Sequence, residues 1–122
     1  ECRKIEQVSA KAATIATELI KTNQLLASEI AILTGKSRDD CALLAREQIG
    51  GCKIGRAGEQ DHEQTLVVDT VRRYKGLEAK CVILIDIEHL VDAELIYVAL
   101  SRPSVLLYVL GSRDDLDRLR GM

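Results

Sequence analysis

Ile5, Val8, Ala12, Ile15 and Leu19 recur at alternating steps of three and four, an apolar stripe that predicts a helix through about residues 3–22. The run EIAIL, 29–33, has strand length and is apolar after its first residue. Ser37 with Asp40 has the spacing of a capping box and predicts a helix carrying Leu43, Leu44 and Ile49, stopped by Gly50-Gly51. CKI, 52–54, reads as a short strand, and GRAGEQDHEQ, 55–64, as loop. TLVVDTV, 65–71, and CVILID, 81–86, are strands separated by the polar insert RRYKGLEAK. DAELIYVALSR, 92–102, has helical spacing at Leu95, Val98 and Ala99 and ends at Pro103, whose ring clashes with a continuing helix. VLLYVL, 105–110, is a further strand, and Ser112 caps a last helix over SRDDLDRLR. Helices alternating with strands that are apolar throughout imply an α/β fold, a mostly parallel β-sheet flanked by helices.

Composition narrows this picture. A chain of 122 residues has the length of one domain. It contains no Phe or Trp and three Tyr, so aliphatic side chains fill the core. Seventeen basic residues face nineteen acidic ones, a net charge of −2; without a basic surplus, any contact with nucleic acid must be local. Cys2, Cys41, Cys52 and Cys81 form no C-x-x-C pair, and His62 and His89 are not spaced with them as metal ligands. Reduced thiols in a cytoplasmic protein with no metal site are expected. No apolar run is long enough to span a membrane, and the charged start ECRKIEQ has no secretory character. The chain starts without Met, which suggests a piece of a longer protein.

Two segments invite a nucleotide-binding reading. Gly35-Lys36-Ser37 has the ending of a phosphate loop, and VILIDIE, 82–88, has the form of an acidic partner strand. A phosphate loop also needs a glycine five residues before its last one, so that successive N–H groups face the phosphates. That position is Ile30, within a predicted strand. Gly35 is better read as a chain turn and Ser37 as a helix cap. Asp86 then reads as a carboxylate at the solvent end of a strand.

More specific are VDTVRRYKGLEAKCVIL, 68–84, and ELIYVALSRPSVLLYVLGS, 94–112. The first places a strand and Thr before K-G-L-E and a second strand; the other places Y-V-A-L-S-R before an apolar strand. In that order they resemble motifs V and VI of superfamily 1 helicases of the UvrD/Rep type, closely over 68–112 and loosely over 25–112. The resemblance implies that residues 1–122 are the C-terminal, RecA-like domain of such an enzyme, without a phosphate loop of its own. ATP and Mg would be bound mainly by a first RecA-like domain outside this chain.

By the resemblance, Arg102 is the arginine finger of motif VI, directed at ATP across the interdomain cleft. Glu78 lies near the nucleotide sugar, and Gly76 allows close backbone approach. Thr70, Arg72 and Lys75 face single-stranded DNA, with RNA as the alternative. Two departures stand out: Arg72 where the family commonly has His, and Pro103 where it commonly has Ala after the finger. Tyr74 is the one aromatic ring beside this basic cluster, so most base stacking is expected on the first domain. The competing readings are a non-catalytic RecA-like module that binds nucleic acid or protein, and a free-standing small NTPase using Lys36.

Overall fold

The structure is a computed structural model that describes residues 5–22, 24–36, 48–49, 51–56, 65–74, 77 and 79–120. Helix α1 (Ile5–Lys21) leads into strand β1 (Ile30–Thr34). A hairpin of β2 (Gln48–Ile49) and β3 (Cys52–Gly55) comes next, then β4 (Thr65–Thr70) and β5 (Ala79–Ile85). Helix α2 (Ala93–Ser101), strand β6 (Pro103–Val109) and helix α3 (Arg113–Arg120) complete the order. The sheet runs β2-β3-β4-β1-β5-β6. Each neighbouring pair is parallel except β2 with β3. This is an α/β architecture with a mostly parallel sheet, consistent with a RecA-like fold.

The apolar runs are explained by burial on both faces. On β1, Ile30 and Ile32 point toward Ala12, Ala16 and Leu19 of α1. Ala31 and Leu33 point the other way, into the cluster of Val71, Tyr74, Ile96, Ala99 and Leu119. A period of two on a strand covered on both sides requires apolar residues at every position. Glu29, just before β1, accepts the Leu26 N–H at 2.8 Å and pairs with Lys80 on β5. These two contacts hold its carboxyl below the usual range, the Leu26 bond contributing most.

The structure corrects the predicted helix at one point. Ile49 belongs to β2, opposite Cys52, and not to a helix. Gly51, at φ +81°, adopts the left-handed backbone that a tight hairpin turn demands. Ser37, Asp40, Leu43 and Leu44, with their capping box, lie outside the described residues, as does loop segment 57–64. Because the sheet is parallel from β3 to β6, the ends of its strands define two separate edges. Thr34, Thr70 and Ile85 close the C-terminal edge, and Ala79 and Pro103 open the N-terminal one.

Candidate functional site

At the C-terminal edge, Thr34 and Thr70 are register partners, and Val71 N–H donates to the Thr34 carbonyl at 3.1 Å. Thr70 then folds the chain over. Its carbonyl accepts Tyr74 N–H at 3.2 Å, and its Oγ1 accepts Arg73 N–H at 3.2 Å. Asp69, fully buried, accepts Thr70 N–H at 2.7 Å through Oδ1 and pairs with Arg73 Nε at 3.2 Å through Oδ2. Of the basic cluster seen in the sequence, Arg73 is therefore tied to its own turn, whereas Arg72 stands exposed. Lys75 lies outside the described residues. Tyr74 is 0% exposed, a core residue beneath the turn that offers no ring to a base.

The two segments with nucleotide-binding echoes meet at the same edge. Strands β1 and β5 are neighbours, so Asp86, just past β5, lies beside the end of β1. The expectation of a solvent-end carboxylate is overturned: Asp86 is 3% exposed. Its Oδ2 accepts the Thr34 hydroxyl at 2.6 Å, while Oδ1 lies 3.9 Å from Lys36 Nζ. Thr34 Oγ1 in turn accepts Lys36 N–H at 3.0 Å. Asp86 has φ 55° and ψ 41°, the one non-glycine left-handed residue among those described. Such a conformation persists where surrounding contacts over-determine it. Gly35 does turn the chain, with no room for a side chain against the Asp86 carbonyl.

Between these walls opens a cavity of about 340 Å³, lined by Lys36, Thr70 and Arg72 with Val71, Leu90 and Leu95 among others. Sequence reasoning missed this union because it judged Lys36 and Asp86 separately. The available signal was that ILTGK and ILID both finish apolar strands with charge.

Arg102 lies at the opposite edge. Asp92 starts α2 by accepting Glu94 N–H at 2.9 Å, and Arg102 follows the last turn. Its Nε donates to the Val98 carbonyl at 3.1 Å, Nη1 to the Leu77 carbonyl at 3.2 Å and Nη2 to Ser101 Oγ at 3.0 Å. A guanidinium that meets two carbonyls neutralises the helix end and fastens the crossover from β4 to β5. Pro103 opens the edge strand β6, where a missing N–H is tolerated, and Ala79 N–H donates to the Arg102 carbonyl at 3.2 Å. The backbone beside Arg102 is thus fixed, and its side chain is half-buried. Gly76 and Glu78 flank Leu77 but lie outside the described residues.

Thr70 and Arg72 are therefore brought together with Lys36, and Arg102 is set apart from them beside Leu77. Residues 65–110, from β4 through β6, match the family model of the UvrD-like helicase C-terminal domain. No curated protein matches the chain.

Proposed function

We propose, from the match of residues 65–110 to the UvrD-like helicase C-terminal domain, that this chain is the second RecA-like domain of an ATP-dependent helicase. In this reading it closes on a first RecA-like domain that holds most of the ATP and Mg contacts, and it works in the cytoplasm on single-stranded DNA. Arg102 is the finger. A planar, permanently charged guanidinium suits two phosphate oxygens at once, and the Y-V-A-L-S-R setting within the matched segment is the observation that carries the assignment. To reach phosphate, the guanidinium must exchange the Val98 and Leu77 carbonyls for phosphate oxygens. Those carbonyls keep it aligned in the absence of nucleotide. By their motif positions Glu78 and Gly76 serve the nucleotide sugar and Lys75 the strand, which Thr70 and Arg72 meet at the other edge.

The test is Arg102→Ala in the intact protein, assayed for ATP turnover and ATP affinity. Turnover should fall on the order of 10³-fold or more, with affinity changed only a few-fold. The same hydrogen bonds to main-chain carbonyls favour a second reading, a non-catalytic binding module in which Arg102 is purely structural. Unchanged turnover in a folded Arg102→Ala protein would select that reading instead.

A further inference from the structure

The C-terminal-edge cavity contains more than the matched motif accounts for. Lys36 lies outside the 65–110 segment, yet its side chain lines the same space as Thr70 and Arg72. We infer that Lys36 is a further cation of the single-strand seat, and that one backbone phosphate is held between Lys36 and Arg72. The inference rests on the reading of the Thr70–Arg72 edge as nucleic-acid-facing and names the part of the ligand that enters it.

Four observations carry it. Among the described residues, none of those lining the cavity is acidic, whereas Lys36, Arg72 and Arg73 all line it. Arg73 is already engaged by buried Asp69 at 3.2 Å, which leaves Lys36 and Arg72 to meet an anion. Lys36 Nζ lies 3.9 Å from Asp86 Oδ1, close enough to be attracted but too far to donate a hydrogen bond. Finally, Thr70 Oγ1 accepts Arg73 N–H, so its own hydroxyl hydrogen can turn to a phosphate oxygen.

Asp86 and Thr34 act as positioning residues. Their buried 2.6 Å hydrogen bond fixes the carboxylate, and Thr34 Oγ1 holds the Lys36 main chain from the other side. The lysine side chain is largely covered, with 16% of it exposed, and its ammonium is kept within 3.9 Å of the Asp86 carboxylate at the wall of the cavity it lines. Leu90 and Leu95 supply an apolar floor against which a sugar or base face can rest. A phosphodiester is favoured over a free nucleotide because Arg102, the proposed finger, belongs to the other edge of the sheet.

The test measures the affinity of the intact protein for a labelled oligothymidylate across a salt series, with pyrophosphate as competitor in a parallel arm. For single strands, log affinity falls with log salt, and every phosphate left without its cation lowers the steepness of that slope by about 0.7. Lys36→Gln should lower it by about that amount and weaken low-salt binding several-fold, while Lys36→Arg should keep the parent slope. Arg72→Gln tests the underlying reading independently. A parent slope in folded Lys36→Gln, beside a reduced one in Arg72→Gln, overturns the inference and leaves that reading standing. Parent slopes in both variants sink the two together. Should Lys36→Gln not fold, a reduced slope in Lys36→Arg is the overturning result, because a phosphate seat needs the positive charge and not the ammonium's particular shape. Loss of pyrophosphate binding without loss of oligonucleotide binding would equally reject it.

Discussion

A Cβ placed on Gly35 would stand 2.5 Å from the Asp86 carbonyl oxygen and 2.9 Å from Leu90 Cγ. The first neighbour is main chain at a left-handed residue and cannot yield cheaply. Gly35→Ala should therefore destabilise the protein by about 1–3 kcal/mol, the usual cost of overpacking, visible as a lower denaturant midpoint at unchanged slope. A midpoint equal to the parent's would show that the β1 and β5 ends approach less closely than this contact requires. Cys81 gives a second prediction at this scale. Burial pushes its thiol from 9.0 up to about 11, so the folded chain keeps a proton that the unfolded chain releases first. The stability linked to this group is fully present below pH 9 and is lost as the pH climbs to about 11, since the unfolded state binds fewer protons in that window. Denaturant titrations across the window should show the parent losing more stability than Cys81→Ala, with parallel curves below it.

At the scale of elements, what was legible in the sequence is what local pattern alone determines. Strands β1, β4 and β5 stand out because burial on both faces gives each an unbroken apolar run, Ile30–Leu33, Leu66–Val68 and Cys81–Ile85. Helix α2 is visible from the spacing of Leu95, Val98 and Ala99 and from Pro103, which limits it; its Asp92 cap is seen only in the structure. What was not legible depends on partners distant in sequence. Ile49 continues an apparent helical pattern, and only its pairing with Cys52 around a left-handed Gly51 makes it a strand. Asp86 looked solvent-facing because its acceptor role depends on Thr34, fifty-two positions away. Arg72 and Arg73 are adjacent and alike in sequence, but the turn directs one to Asp69 and the other outward. The motif order names the candidate residues, and the sheet decides which of the described ones share an edge.

Across the whole molecule, the parallel sheet separates two sets of candidate residues, Thr70 and Arg72 at one edge and Arg102 at the other. Strand β6 has seven residues, and at about 3.3 Å per residue the Arg102 edge lies roughly 20 Å from the edge bearing Thr70 and Arg72. That exceeds the screening length of about 8–10 Å at ordinary ionic strength, so charge at one edge has little direct effect at the other. The physical link is the crossover between β4 and β5, held by Thr70 at one end and by the Arg102–Leu77 hydrogen bond at the other. Sites this far apart without shared partners add within roughly 0.5 kcal/mol. If edge chemistry dominates, Arg102→Ala combined with Arg72→Gln should bind single strands as Arg72→Gln does alone. If the crossover instead transmits strain, Arg102→Ala alone will weaken strand binding, and the double variant will fall outside the additive limit. Oligonucleotide titrations on the four proteins of that cycle, in the absence of nucleotide, distinguish two independent edges from one coupled strap.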